Sequence, residues 1–233
     1  MKTVALIGAY DKTDLILYMA RILAVSNKRV LVVDATEHEK LRYIVPSITP
    51  TKTYISEFQA IDFAIGFDDI NRLWQYLGVE EGEDKGYDIV LLDVDKPEAI
   101  QNFGIGTNTT NLFITTFDLF SIKRGLAVLE NLQENMKIKK VLVTKQPSKE
   151  ESEYIDFLSY NLNVTWDDDV FNFPLEVGNF AVTVENQTIH RIKIRGLTSN
   201  YKYALQMLIE MIFADEVPSK DITRTMKILE KEV

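Results

Sequence analysis

The 233-residue sequence contains no cysteine. This absence excludes disulfide bonds, thiolate zinc sites, iron–sulfur clusters and a cysteine nucleophile. Only two histidines are present, His38 and His190, and neither has the nearby second histidine or carboxylate pair of a zinc-hydrolase motif. The sequence therefore contains no recognisable metal site built on cysteine or histidine.

Basic residues are too few to outnumber the acidic ones, since 26 Lys and Arg stand against 35 Asp and Glu, for a formal net charge of −9. Nucleic acid is therefore not an expected partner, because binding it requires a basic face that neutralises phosphates. No stretch approaches the roughly 20 apolar residues of a membrane span. The first apolar run ends at Tyr10 and Asp11, too early for a secretory signal. We expect a cytoplasmic protein.

Short runs of β-branched residues alternate with longer helical patterns, which is typical of βαβ units and a parallel sheet. The predicted strands cover residues 2–8, 29–34, 87–93, 110–116 and 139–145. The predicted helices cover residues 12–26, 69–77, 119–136, 149–161 and 200–214. The sequence therefore predicts a three-layer α/β fold, with a mostly parallel central sheet flanked by helices, as a single domain over residues 1–233.

Three other segments carry weaker patterns. Residues 35–68 contain two prolines and several threonines, which predicts irregular structure with one short strand near Tyr54. Residues 80–86 are mostly acidic residues and glycine and predict a solvated loop. Residues 180–196 alternate apolar and polar side chains around Asn186, which predicts a hairpin at the sheet edge.

Chemistry-bearing residues are predicted to meet at one edge of the sheet. Asp34 and Asp93 end two predicted strands, at the edge where open parallel sheets bind ligands. Lys12 and Thr13 open the first helix, whose N-terminal amides could receive a phosphate. In a working phosphate loop the lysine contacts the phosphates, the threonine hydroxyl ligates Mg²⁺ and a strand-end carboxylate orients the metal. If ATP binds at this edge, the pattern indicates Thr13, Asp34 and Asp93 as the ligands of its Mg²⁺.

The segments 12–24, 28–36, 87–95 and 115–132 together resemble the ParA/MinD-like branch of P-loop ATPases. The resemblance extends over roughly residues 1–150. It implies a P-loop NTPase-like fold, ATP with Mg²⁺ as cofactors, and a homodimer. It also implies that Asp34 and Asp93 serve catalysis if the protein is active.

The phosphate loop departs from the pattern of that family, which resembles Lys-Gly-Gly-x-Gly-Lys-Thr-Thr. Here the same positions read Ile-Gly-Ala-Tyr-Asp-Lys-Thr-Asp over residues 7–14. Ile7 replaces the lysine that in the family reaches the partner's nucleotide, and Ala9 and Asp11 replace glycines whose lack of a side chain lets the backbone approach phosphate. The candidate nucleotide-binding residues are Gly8, Asp11, Lys12, Thr13 and Asp14.

Asp11 opposes a polyanion most directly. A carboxylate about 4 Å from a phosphate charge, at an effective dielectric near 20, costs about 4 kcal/mol. That corresponds to about a thousandfold in affinity. Asp11 is also a good N-cap residue, and Asp14 suits the first turn of a helix, so both acids have an ordinary structural explanation. Because Asp11 would repel phosphate and two glycines of the family pattern are replaced, the phosphate loop is interpreted as degenerate.

Two functions follow from this interpretation. The first is a localisation or scaffold factor without ATPase activity, similar to TadZ/CpaE-like proteins, for a pilus, conjugation or secretion assembly. Its expected partner or dimer surface includes Ile7, Tyr10 and residues 95–103. The alternative is an active ATP-dependent dimer switch in plasmid or chromosome partition or in division-site positioning. A dinucleotide-dependent oxidoreductase is not supported, because no G-x-G-x-x-G follows the first strand.

Residues 219–233 predict an amphipathic helix with Ile222, Met226, Leu229 and Val233 on one face. The resemblance to MinD-like proteins implies reversible docking on the inner face of the membrane. Two glutamates and the lack of a Trp or Phe anchor favour packing on the domain or on a partner instead.

Overall fold

A computed structural model describes residues 1–48, 51–80, 83–145 and 149–232. The strands in chain order are β1 (Lys2–Ile7), β2 (Val30–Ala35), β3 (Tyr54–Phe58), β4 (Ile61–Ile65), β5 (Ile89–Val94), β6 (Thr110–Thr115), β7 (Met136–Thr144) and β8 (Val164–Pro174). The helices are α1 (Thr13–Val25), α2 (Leu41–Ile44), α3 (Ile70–Tyr76), α4 (Pro97–Asn102), α5 (Leu119–Ala127), α6 (Lys149–Leu158), α7 (Val177–Thr188), α8 (Ser199–Ile212) and α9 (Ser219–Leu229).

The eight strands of the described residues belong to one sheet, in the order β3-β4-β2-β5-β1-β6-β7-β8. Strand β3 pairs antiparallel with β4, and every other pair is parallel. The carboxyl ends of β1, β2 and β5 therefore meet at one edge of the sheet. The predicted mostly parallel α/β class is confirmed.

Helices cover both faces of the sheet, which explains why its central strands are apolar on both sides. On β1, Val4 and Leu6 face a core that includes α1, α8 and α9. The alternate residues Ala5 and Ile7 face a second core that includes α3, α4, α5 and α6. Two helical layers thus enclose the sheet, as the three-layer prediction requires.

The five predicted strands and four of the five predicted helices are present within a few residues of the expected bounds. The fifth predicted helix, over residues 119–136, is too long, because α5 ends at Ala127 and β7 already begins at Met136. After α5 the backbone tightens into turns, in which the Val128 amide donates to the Gly125 carbonyl at 3.2 Å. The residues between these turns and Met136 connect α5 to β7.

Residues 35–68 are more regular than expected. The predicted strand near Tyr54 is present as β3, but β4 and the short helix α2 were not predicted. In the predicted loop over residues 80–86, residues 81 and 82 lie outside the described residues, and the others form neither helix nor strand.

The hairpin predicted over residues 180–196 is wrong, because α7 occupies most of this segment. The buried positions of α7 are polar: Asn179, Thr183 and Asn186. Asn179 Oδ1 accepts from the Thr198 amide at 2.9 Å, and Asn186 Nδ2 donates to the Lys193 carbonyl at 2.8 Å. The buried face of α7 thus consists of polar residues at helical spacing. A prediction based on apolar periodicity does not detect such a helix.

Helix α9 lies within the segment 219–233, for which a C-terminal helix is predicted, and packs against α1 and α8. Its apolar residues Ile222, Met226 and Leu229 are buried in the first core, while Val233 lies outside the described residues. Thr225 Oγ1 of α9 lies 2.9 Å from Ser26 Oγ, in the residue directly after α1. Membrane docking through this face would require α9 to leave the core. Within the described ranges, no helix combines the length and apolar character that crossing a bilayer requires.

Candidate functional site

The site begins at Gly8, the residue directly after β1. The Gly8 amide donates to the Val94 carbonyl at 2.9 Å, which continues the sheet toward β5. Gly8 has a φ of +145°, and a Cβ atom at this position would lie 2.2 Å from the Ile114 carbonyl oxygen. Only glycine fits between β1 and β6 here, so the one loop glycine shared with the phosphate-loop pattern has a packing role in this structure.

Lys12 does not extend into solvent. Its Nζ donates to the Gly8 carbonyl oxygen at 2.7 Å and lies 2.7 Å from Asp93 Oδ1. The side chains of Lys12 and Asp93 are only 2% and 4% exposed. Asp93 Oδ1 makes no hydrogen bond of regular geometry among the described residues, so the contact is best described as a close ion pair. The ammonium group that would bind phosphate is therefore held within the fold.

Asp93 ends β5 in an environment that opposes its charge. Burial raises the pKa of Asp93 to about 6, and the neighbouring carboxylates of Asp34 and Asp95 act in the same direction. Lys12 lowers the pKa but does not cancel the effect of burial. The ion pair with Lys12 thus opposes the effect of burial and favours the charged form of Asp93.

Asp34 lies directly opposite Asp93 in the register of β2 and β5. Its Oδ1 accepts from Thr36 Oγ1 at 2.5 Å and from the Thr36 amide at 3.1 Å. Its Oδ2 accepts from the amide of Leu41, the first residue of α2, at 3.0 Å. Asp34 therefore organises the turn after β2 and the start of α2, and both of its oxygens are engaged.

The Asp11 carboxylate lies at the start of α1. Its Oδ1 accepts from Thr13 Oγ1 at 2.8 Å and from the Thr13 amide at 3.3 Å, and its Oδ2 pairs with Lys40 Nζ at 2.6 Å. Burial raises the pKa of Asp11, but the bonds from Lys40 and Thr13 together lower it below the usual range. The Asp11 carboxylate thus binds the hydroxyl and the amide of Thr13 and the ammonium group of Lys40, three groups that could otherwise bind an anion.

Asp14 faces a different part of the structure. Burial raises the pKa of Asp14 to about 6, although hydrogen bonds to Thr183 and Gln187 of α7 lower it, and the charge of Asp11 raises it further. Its carboxylate lines a cavity of about 130 Å³ on the α7 side of α1, together with Tyr10, Tyr18 and other residues. Asp14 therefore contacts α7, and the cavity that it lines is also lined by Asp11 and Lys12.

The space left around Lys12, Thr13 and Asp93 is a cavity of about 90 Å³. Small-molecule sites generally occupy about 300–1,000 Å³. The three predicted Mg²⁺ ligands are also committed elsewhere, Thr13 to Asp11, Asp93 to Lys12 and Asp34 to Thr36 and Leu41. Among the described residues, no group of three or more Asp, Glu, His or Cys is placed to hold a metal ion. In this arrangement the residues do not fit ATP with Mg²⁺.

The structure brings together most residues predicted for the site, but in two separate groups. Gly8, Lys12 and Asp93 form one group, and Asp11 with Thr13 forms the other. Ile7, predicted for a partner surface, is fully buried, and this prediction is wrong because Ile7 is a core residue of β1. Sequence reasoning missed Lys40. The one feature that could have indicated it is Asp11, an acid in the loop that requires a nearby cation.

The geometry defines a class of fold, a parallel α/β sheet whose first strand leads through a phosphate-loop turn into α1. Three solved structures with this fold are similar to the chain. A chain of the MinC:MinD cell division protein complex from Aquifex aeolicus is 14% identical, with coverage of 100% of this chain and 97% of that chain and a TM-score of 0.52. A putative plasmid partition protein from Borrelia burgdorferi, bound to AMPPNP, is 12% identical, with coverage of 93% and 99% and a TM-score of 0.54.

The septum site-determining protein MinD from Pyrococcus horikoshii, complexed with Mg-ADP, is 13% identical, with coverage of 91% and 97% and a TM-score of 0.50. No family model matches the sequence, and no curated protein is significantly similar to it. The chain therefore has the ParA/MinD type of P-loop NTPase fold. At these identities the likeness establishes the fold alone.

Proposed function

We propose that this chain is a ParA/MinD-like localisation or scaffold factor that works without ATP hydrolysis. It would act as one domain on the cytoplasmic face of an assembly such as a pilus, conjugation or secretion system. The observation that carries the proposal is the closed state of the phosphate loop. Lys12 is buried against Asp93, and the Asp11 carboxylate accepts from the Thr13 groups that would bind phosphate and Mg²⁺.

Two costs oppose nucleotide binding at this loop. A phosphate that approached Thr13 would meet the charge of Asp11, which is worth about 4 kcal/mol at 4 Å and a dielectric near 20. Reaching Lys12 would also require its ion pair with Asp93 to break, and leaving one buried charge unpaired costs about 3–5 kcal/mol. The ion pair between Lys40 and Asp11 offsets part of the repulsion by Asp11 and has no effect on the cost of breaking the Lys12 pair.

Calorimetry with ATP and Mg²⁺ tests the closed loop. We expect little or no heat of binding for the wild type and measurable binding for Asp11→Gly. Asp69→Gly is the matched control, because Asp69 caps the distant helix α3 by accepting from the Arg72 amide at 2.9 Å. Binding by the wild type as tight as by Asp11→Gly would contradict the proposal.

A scaffold needs a surface for a second copy or for another protein. Leu119 and Phe120 are 58% and 71% exposed and begin α5, directly after the carboxyl end of β6. They lie at the same edge of the sheet as Asp11, which supports a homodimer across this edge. Tyr10 is half-buried beside it, and within residues 95–103 Glu98 and Gln101 are exposed.

Light scattering after size exclusion tests the dimer. The wild type is expected to be a dimer without nucleotide, and Phe120→Asp to be a monomer. Tyr160→Asp is the control, because Tyr160 is 86% exposed and precedes β8 at the opposite edge. A wild-type monomer under every condition would refute the homodimer, as would loss of the dimer in the control alone.

A second candidate is an ATP-dependent dimer switch in partition or in division-site positioning. It is favoured by one observation: Lys12, Thr13, Asp34 and Asp93 all lie at the carboxyl edge of β1, β2 and β5. This function requires ATP to displace Asp93 from Lys12. It predicts a dimer that forms with ATP and a loss of that dependence in Lys12→Ala, whereas the scaffold predicts no effect of ATP in either protein.

A further inference from the structure

A cavity of about 430 Å³ lies away from the phosphate loop, between α4 and the turns that join α5 to β7. It extends to Met136, the first residue of β7, and to the segment that precedes β6, so it opens toward the amino edge of the sheet. Its volume falls within the about 300–1,000 Å³ typical of small-molecule sites. It is several times larger than the cavity of about 90 Å³ at Lys12.

The floor of the cavity is apolar and belongs to the second core. Ile100, Val128 and Met136 line it and are each at most 9% exposed. The early end of α5 creates one wall, because the turns from Val128 onward replace the helix that the sequence predicts. A flat apolar group that entered the cavity would therefore contact well-packed core side chains.

The rim of the cavity is polar, and its formal charge is negative. The carboxamides of Gln101 and Asn131 lie on the rim, and neither has a side-chain partner among the described residues. Glu98 and Glu134 are the charged residues of the lining, and both are exposed. No lysine or arginine is found among the described residues that line it. The rim therefore offers carboxamide hydrogen bonds and an attraction for positive charge, and it repels anions.

We propose that this cavity binds a small organic cation, in which a flat apolar ring lies on the floor and an amine or amidine lies between the rim carboxylates. The site shares no residue with the phosphate loop, but Glu98 and Gln101 also belong to the candidate partner surface over residues 95–103. The carboxamides would orient the polar groups next to the ring. The site selects against phosphorylated or carboxylated ligands by charge.

Methyl NMR of the full chain with three matched probes tests the site. Naphthylmethylammonium at millimolar concentration is expected to shift the methyl signals of Ile100, Val128 and Met136. Naphthylmethanol is expected to bind more weakly, and naphthylacetate not at all. The double variant Glu98→Gln with Glu134→Gln should lose about tenfold in affinity for the ammonium probe only, at about threefold for each exposed carboxylate.

Two pairs of variants distinguish the cavity from general surface binding. Thr107→Trp places a large ring at the lining and should abolish binding, while Asn108→Trp, at an exposed neighbour outside the lining, should not. Glu130→Gln, on the same segment but outside the lining, is the control for the charge variants. Shifts confined to other methyl groups, equal binding of naphthylacetate, or unchanged binding by Thr107→Trp would each overturn the proposal.

Discussion

The buried ion pair between Lys12 and Asp93 leads to a measurable prediction about stability. Lys12→Met removes an ammonium group that is 2% exposed and lies 2.7 Å from Asp93 Oδ1. Removing one partner of a buried pair leaves the other charge uncompensated, so we expect a loss of about 3–5 kcal/mol in the free energy of unfolding. At about 2–4 °C per kcal/mol for a chain of this size, the melting temperature should fall by about 6–20 °C.

The loss should depend on pH in a defined direction. The pKa of Asp93 is already raised to about 6 by burial, and it should rise further once Lys12 is removed. A carboxyl whose pKa is raised by folding binds its proton more tightly in the folded state, so its contribution to stability is present at low pH and is lost as pH rises through the folded pKa. Lys12→Met should therefore be penalised more near pH 8 than near pH 5, by the linkage of proton binding to unfolding.

Urea unfolding followed by circular dichroism measures these effects. The control is Lys40→Met, which removes the half-exposed partner of Asp11 and should cost less than about 1 kcal/mol. The double variant Lys12→Met with Asp93→Leu should recover most of the loss, because apolar residues often replace a buried pair at little cost. If Lys12→Met cost no more than Lys40→Met, Lys12 would not be held in a buried pair, and the closed phosphate loop would be refuted.

Three further predictions concern other parts of the fold. The pKa of Asp14 is raised to about 6, so the wild type should lose unfolding free energy between about pH 5 and pH 7.5, and Asp14→Asn should reduce this loss. Asp118→Asn is the control and should leave the loss unchanged, because the pKa of Asp118 is lowered to about 2. Gly8→Ala should cost about 3 kcal/mol or more in urea unfolding by forcing β1 and β6 apart, while Gly106→Ala, whose Cβ would meet open space, should be nearly neutral. Ile222→Ala should cost about 2–5 kcal/mol in the same assay, because the side chain of Ile222 is fully buried.

The parts of the fold that could be predicted are those in which local pattern and burial agree. Strand β1 and helix α1 are apolar where they are buried, so periodicity identifies both. Strand β8 was missed because it contains three consecutive aspartates, a composition that indicates a loop. It forms a strand because it lies at the sheet edge, where Asp167 pairs with Lys137 at 2.8 Å and charge is tolerated.

The candidate site could be located from the sequence but its state could not. The sequence places Asp34 and Asp93 at the ends of two predicted strands and Lys12 after the first strand. It therefore predicts all three at the carboxyl edge of the sheet, where the structure has them. The sequence does not reveal that Lys12 bonds back to Gly8, or that Asp11 finds Lys40, which lies 29 residues away along the chain. These pairings depend on tertiary distances, which no local pattern encodes.

The attachment of α9 to α1 has a consequence for the order of folding. The Arg21 guanidinium lies 2.8 Å from Glu232 Oε1, and the Ser26 hydroxyl contacts Thr225. Because α9 follows α1 along the chain, the face of α1 that packs on α9 stays uncovered until α9 has been synthesised. Packing of the first core is therefore completed only after α9 has been made, because Ile222, Met226 and Leu229 belong to that core.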